Sequence, residues 1–250
     1  MQARTVAIVT GASRGLGHAL AQGLMAPDVA LITVSRRHNA DLAKHAQLSG
    51  CSLQQIQADL ANPAGAERIA NQIVGKLPTQ AERYVLINNA GTVDPVSRAP
   101  GLDNAAAITA AFSLNVTCPM LMTAALLRVT AEGSADRRIL NISSGAGRNP
   151  MPGWGVYCAT KAALDHYTRV VQAENHGIRI ASLAPGVIDT GMQEHIRGSS
   201  RDNFPDVQRF IQMHEAGQLS APAEVAARIL AYINREDFGT TVLDDIRHYA

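Results

Sequence analysis

The chain has 250 residues, 46% of them hydrophobic and 17% charged, which is enough apolar material for one large α/β domain. A formal net charge of +1 gives no polyanion-binding field, so nucleic acid is not an expected partner. The cysteines Cys51, Cys118 and Cys158 form no CxxC pair; they predict neither a disulfide framework nor a zinc site, and they suit a reducing compartment.

The first residues run straight into a strand-like segment, without a basic region followed by an apolar one. No apolar run is read as reaching the ~18–20 residues of a bilayer span. The expectation is a cytoplasmic protein with no membrane partner. Residues 4–10 (RTVAIVT) predict a buried strand. Gly11-Ala12-Ser13-Arg14-Gly15-Leu16-Gly17 follows, then a helix over residues 18–25. Strand, glycine turn and helix is the context a dinucleotide needs: glycine lets the backbone approach a pyrophosphate, which rests on the helix N-terminus.

A second strand over residues 29–35 ends at Arg36-Arg37-His38, with no acid between Val34 and Asn39. An acid there would read the ribose hydroxyls of NAD. Two arginines, joined by Arg14, suit the 2′-phosphate of NADP(H), because a guanidinium binds two oxygens at once; the alternative is that they are ordinary solvated side chains. After a helix over 39–48 comes a strand over 52–58, ending at Asp59-Leu60. Asp59 is read either as an acceptor for an adenine amino group or as the cap of a helix starting near Pro63. The next strand, 84–87, leads to Asn88-Asn89-Ala90-Gly91, small residues that let a ligand approach. Asn88 is expected to hold neighbouring strands together.

Residues 103–131 predict a long helical stretch interrupted near Pro119. Asn115 sits there in apolar company and needs partners: either backbone groups at a kink or a water in a proton relay. A strand over 138–142 leads to Ser143-Ser144 and a Pro/Gly-rich loop, then a helix over 156–175. On that helix Tyr157 and Lys161 lie four apart, so they share a face. A fixed ammonium beside a phenol is expected to lower its pKa from the usual value of about 10 and tune it for proton transfer. A strand over 178–183 runs into Pro185-Gly186-Val187-Ile188-Asp189-Thr190-Gly191-Met192. Residues 190–218 read as a mobile amphipathic lid. Met151, Trp154, Met192, Phe204 and Phe210 are its candidate pocket residues, or core packing. A helix over 222–235 and a short strand near 241–243 end the chain. Seven strands alternating with helices imply a doubly wound parallel sheet in one domain, 1–250.

Thr10 to Gly17, Asn88 to Gly91, Asn115, Ser144, Tyr157-x-x-x-Lys161 and Pro185-Gly186 stand in the order and spacing of the short-chain dehydrogenase/reductase family, which the chain resembles over nearly its whole length. Ser144 precedes Tyr157 by thirteen positions, the family spacing. The resemblance implies a Rossmann fold and an NADP(H)-dependent reduction of a small-molecule ketone. It implies that Tyr157 is the proton donor, Ser144 holds the carbonyl and Lys161 binds the nicotinamide ribose. Asn115 would complete a proton relay, and Val187, Ile188, Thr190 and Met192 would close over the nicotinamide. The segments NISSGAG, GWGVYC and APGVIDTGMQ are similar to the sepiapterin-reductase branch and to the (S)-benzoin-forming benzil-reductase branch, which share a vicinal dicarbonyl substrate class. Ser144, Trp154, Tyr157, Gly186, Met192, Phe204 and Asp244 are then the expected substrate contacts; for the acidic pair Asp244/Asp245 the alternative is an exposed turn. The altered C-terminus favours a homodimer over a tetramer. The alternatives are a 3-oxoacyl or alcohol oxidoreductase of the same family and a non-catalytic NADP-binding sensor or scaffold.

Overall fold

The computed structural model describes residues 4–249 other than 76 and 79. Seven strands form one all-parallel sheet: β1 (Thr5–Thr10), β2 (Val29–Ser35), β3 (Ser52–Gln57), β4 (Arg83–Asn88), β5 (Asp136–Ile142), β6 (Arg179–Ala184) and β7 (Leu243–Asp245). Their spatial order is β3-β2-β1-β4-β5-β6-β7. The chain starts in the middle, winds outwards to β3, then returns across β1 to β4. The order therefore reverses beside β1, and the crevice for a ligand opens there, at the strands' carboxyl ends.

The helices are α1 (Gly15–Gly23), α2 (Ala40–Ser49), α3 (Pro63–Val74), α4 (Ala105–Phe112), α5 (Cys118–Val129), α6 (Gly155–Ala173), α7 (Gly191–Arg197), α8 (Val207–Glu215) and α9 (Pro222–Asn234). Strand alternation divides the core between the two faces. Ala7, Val9, Leu31, Val85, Ile87, Leu140 and Leu183 pack with Leu20 of α1 and Ile229 of α9. Val6, Ile8, Ile32, Leu86, Ile139 and Ile180 pack with Ile69 and Ile73 of α3 and Met122 and Leu126 of α5. Both faces are covered, which is why these strands read as continuous apolar runs.

Four local expectations change. The break in the long helical stretch is a π-turn, Ser113–Thr117, centred on Asn115; it ends two residues before Pro119, which lacks the N–H that would continue the regular ladder back to this turn. The stretch Ala105–Val129 is also long and apolar enough to cross a bilayer by composition, with a hydropathy of 1.6, yet 56% of that window is buried within the fold. The cap of α3 is Asn62, whose side chain accepts from the Ala64 N–H; Asp59 accepts only from the Ala61 N–H. The last strand covers 243–245, so Asp244 and Asp245 are inside the sheet and buried, not in an exposed turn.

Candidate active site

The carboxyl ends of β1, β4, β5 and β6 carry the predicted site residues, and buried hydrogen bonds fix them there. Thr10, 1% exposed, accepts from the backbone N–H groups of both Asn89 (3.0 Å) and Ala90 (3.1 Å). Asn89 returns a bond from Nδ2 to the Thr10 carbonyl at 2.9 Å. Asn88 donates to Asn141 across β4 and β5 (2.8 Å), and Asn141 donates to Thr168 of α6 (2.9 Å). Asn88 thus ties strands together, as its position implied. Thr10 opens the glycine motif in sequence, but its role of tying β1 to the loop after β4 was not read from it.

The glycine loop fits a dinucleotide phosphate. Gly11 and Gly15 have φ of 71° and 57°, in the left-handed region. A Cβ at Gly17 would stand 2.3 Å from the Gly11 carbonyl oxygen, so the loop can fold this tightly onto α1 only with glycine there. Helix α1 has no side-chain cap and no acid in its first turn, so its dipole and free N–H groups are left for an anion. Arg14 is exposed beside this end, and its guanidinium approaches Gly191. Arg36 and Arg37 are exposed at the end of β2, and their guanidinium groups have no hydrogen bond or ion pair among the described residues. Ser13 joins the corner through its carbonyl, which accepts from Asn39 Nδ2 (2.9 Å). Leu16, Leu60 and Ile188 point their side chains into the core, which leaves only backbone groups for a cofactor at those positions.

At the other end of the crevice the polar groups are buried. The π-turn presents Asn115 inward, 1% exposed, and both ends of its amide are taken. Nδ2 donates to the Thr92 carbonyl (2.8 Å) and to Thr160 Oγ1 (3.0 Å), while Oδ1 accepts from the Thr92 N–H (2.9 Å). Its side chain therefore pins the loop after β4 to α6. Lys161, 5% exposed, donates from Nζ to the Ile142 carbonyl at 2.8 Å. A Cβ on Gly91 would lie 3.2 Å from Asn115 Oδ1 and 3.6 Å from Lys161 Nζ, so the bare glycine keeps that approach open. Tyr157, 8% exposed, has the Lys161 ammonium 5.7 Å from its ring centroid, and Ser144 is near enough to act on its phenol.

Burial pushes the Tyr157 phenol up to about 12, against a smaller opposing effect of the Ser144 hydrogen bond. Burial pushes Lys161 down to about 8, partly offset by the charge of Asp165. The expected lowering of the Tyr157 pKa by Lys161 is therefore not what the structure gives: desolvation of the phenolate is the largest effect and it acts upwards. At neutral pH both members of the pair are therefore protonated.

Residues 190–218 are not irregular. Helices α7 and α8 pack Ile196, Val207 and Phe210 against Trp154, Tyr157, Val93 and Ala146. Trp154 stacks on Phe204 (centroids 4.6 Å apart, 5° between planes) and meets Tyr157 edge-on at 5.4 Å. Phe204 is fully buried, 0% exposed, so it supports the wall behind Trp154 and is not a pocket surface; the expected substrate contact there is corrected. The Trp154 indole N–H is buried with no partner. Met192, Met151 and Val187 flank this cluster, partly buried. Gly186 (φ 78°) has nothing within 4 Å of its missing Cβ, and Pro185 leads into it from the end of β6. Thr190 lies over the glycine loop, its methyl 3.2 Å from a Cβ on Gly15.

Asp244 is corrected too. Its Oδ2 accepts from the hydroxyls of Tyr232 (3.1 Å) and Tyr249 (2.5 Å), and it is 2% exposed. It fastens the C-terminal residues to α9, and its carboxylate is taken by those two tyrosines. Asp245 is paired with Arg247 at 2.6 Å.

A sequence model described as short chain dehydrogenase matches residues 5–200. The chain belongs to the short-chain dehydrogenase/reductase family. It is 37% identical over 238 residues to a benzil reductase ((S)-benzoin forming) of Bacillus cereus, covering 92% of this chain and 94% of that one. It is 34% identical over 250 residues to the sepiapterin reductase of Bos taurus, covering 94% and 91%. Among solved structures, the KRED1-Pglu enzyme superposes with a TM-score of 0.79 at 28% identity, covering 95% of this chain and 99% of that one. A short-chain dehydrogenase/reductase from Burkholderia vietnamiensis gives 0.69 at 32% identity over the full length of both chains. This short-chain dehydrogenase/reductase is thus an oxidoreductase of the CH–OH/C=O kind with a nicotinamide cofactor.

Proposed function

We propose that the protein is an NADPH-dependent carbonyl reductase whose substrate is a bulky ketone, with a vicinal diketone as the favoured class. One observation carries the reading. Tyr157 is held as a buried, protonated phenol, with Ser144 acting on it and the buried Lys161 beside it, at the carboxyl edge of the sheet. A dinucleotide held by the glycine loop, residues 11–17, would supply the hydride that the carbonyl carbon accepts. Ser144 fixes the carbonyl oxygen and donates to it as charge develops. Tyr157 delivers the proton to that oxygen, and the Lys161 ammonium stabilises the phenolate left behind. Asn115 keeps the loop after β4 in register with α6, so that Gly91 stays beside Lys161.

The cofactor preference rests on Arg14, Arg36 and Arg37: three unpaired cations near the α1 N-terminus and the end of β2, with no acid among them, favour a 2′-phosphate. The substrate class rests on the Trp154, Met151 and Met192 wall, which is apolar and suits aromatic groups, and on the likeness to benzil and sepiapterin reductases. The protein acts in a reducing, cytoplasmic setting, as its three free cysteines favour. It pairs as a homodimer through the outer faces of α4 and α6, where Phe112 and Val170 are exposed.

A panel of benzil, simple α-diketones, sepiapterin and an acetoacetyl thioester, followed by loss of NADPH, tests the reading. Turnover of the diketones is expected. Turnover of the thioester alone would replace the substrate class with a 3-oxoacyl one, and NADPH binding with no turnover would favour a sensor.

A further inference from the structure

Behind the catalytic residues lies a second buried polar centre. Asp165, 4% exposed, is one helical turn past Lys161 on α6, so the two side chains share a face. Its Oδ2 accepts from Arg148 Nε at 3.0 Å, and its Oδ1 accepts from Ser182 Oγ of β6 at 2.6 Å. Arg148 ends the short turn Gly145–Gly147 that Ser144 caps. The remaining Arg148 donors reach the Asp244 carbonyl of β7 (3.0 Å) and the Ser182 carbonyl (3.1 Å). One guanidinium thus joins the Ser144 turn, α6, β6 and β7. The turn lies directly on the helix: a Cβ on Gly147 would stand 2.8 Å from the Lys161 carbonyl carbon and 3.0 Å from the Ala162 nitrogen.

We propose that the Arg148–Asp165 ion pair is the positioning device of the catalytic centre: it clamps the Ser144 turn onto α6 and sets the electric field at the Lys161 ammonium. The inference rests on the reading of Tyr157 and Lys161 as the proton-transfer pair. The groups facing Lys161 are Tyr157 and Asp165 from α6, the Ile142 carbonyl from β5, the Asn115 amide from the π-turn, and Gly91 from the loop after β4. Cys158 acts on Tyr157 from the same helix. Asp165 supplies the negative charge that favours the ammonium, and Arg148 is the cation paired with that carboxylate.

The two partners therefore act on Lys161 with opposite sign. Asp165→Asn removes the negative charge, so the ammonium is lost at lower pH; Arg148→Gln leaves that charge uncompensated, so the ammonium persists to higher pH. Burial sets Lys161 at about 8, so reduction by the unmodified enzyme should hold below that pH and decline above it.

The test titrates Lys161 by the NMR shift of its labelled Cε and, in parallel, follows kcat/KM for diketone reduction against pH. Asp165→Asn should move both midpoints down by about one pH unit and Arg148→Gln should move both up. Both variants should also lower kcat about tenfold with little change in KM, because the Ser144 turn loosens. Arg148→Lys, which keeps the charge but not the fork, should restore the midpoint while recovering only part of kcat. Shifts in the same direction, or midpoints that stay put while kcat falls, would overturn the proposal. Arg148, with a side chain 27% exposed, is the safer variant should Asp165→Asn not fold, and its upward shift alone decides. NMR shifts as stated with no ketone turnover by the unmodified enzyme would instead sink the reductase reading and leave the ion pair's effect on Lys161 standing.

Discussion

The two ends of the crevice solve opposite problems. At the catalytic end Asn115, Tyr157, Lys161 and Asp165 are all under a tenth exposed, and Asn115, Lys161 and Asp165 have hydrogen-bond partners within the fold. At the adenosine end Arg14, Arg36 and Arg37 stand in solvent, and among the described residues nothing pairs with their guanidinium groups. Burial makes polar groups costly unless satisfied, so the catalytic end is rigid and its protonation states are displaced from their solution values. Exposed guanidinium groups cost nothing while they wait, and they gain their bonds only when an anion arrives. The catalytic end should thus respond to single changes steeply and independently of salt, and the cationic end gradually and with strong salt dependence.

Tyr157→Phe is the sharpest test of that contrast. It removes the buried hydroxyl and leaves the ring against Trp154. Ketone reduction should fall by roughly 10²–10⁴-fold, while NADPH binding, measured by fluorescence titration, stays within a factor of about two. Retained turnover would remove Tyr157 as the acid. Gly153→Ala should come next in size. Gly153 has φ of 91°, and a Cβ there would meet the Asn203 carbonyl oxygen at 2.2 Å. The added methyl pushes the α7–α8 segment off Trp154. KM for the diketone should rise about tenfold or more, equivalent to about 1.4 kcal/mol, with cofactor affinity unchanged. An unchanged KM would show that the α7–α8 segment does not shape the substrate wall.

These contrasts also mark what could be read from the chain before its fold was known. The sheet was legible because its strands are apolar runs bounded by glycine turns, and the position of Tyr157 and Lys161 on one helix face followed from their spacing. Their protonation was not legible: it depends on burial, a property of Trp154, Ile142 and the packed loops together, and it reverses the sign expected from Lys161 alone. The break near Pro119 was legible, and of the two roles read for Asn115 the bonding of backbone at a kink is the one found; that the kink is a π-turn was not legible, since it involves bonds to Thr92 and Thr160 far along the chain. Phe204 and Asp244 were drawn towards the substrate by chain position. In the fold one is the backing of an aromatic stack and the other the anchor of two tyrosines. Arg148 and Asp165 gave no signal, since only the crossing of the Ser144 turn over α6 brings them together.

The arginine corner should give the smallest effect and the most informative one. Arg36 and Arg37 sit at the end of β2, and Arg14 lies at the mouth of α1, whose N-terminal N–H groups have no side-chain cap. Each exposed arginine that reaches a 2′-phosphate should contribute a charge-assisted bond, and replacing one with alanine should weaken NADPH binding about tenfold. NADH lacks that phosphate, so its affinity should be nearly unchanged. Screening adds a second check: raising ionic strength from about 0.01 M to 0.15 M shortens the Debye length from about 30 to 8 Å, and the NADPH preference of the unmodified protein should shrink across that range. The Arg36→Ala/Arg37→Ala variant should lose most of that salt dependence along with the preference. Equal losses for NADPH and NADH would mean that these cations act on the shared pyrophosphate or on the loop itself. The corner would then resemble the catalytic end more than its solvent exposure suggests.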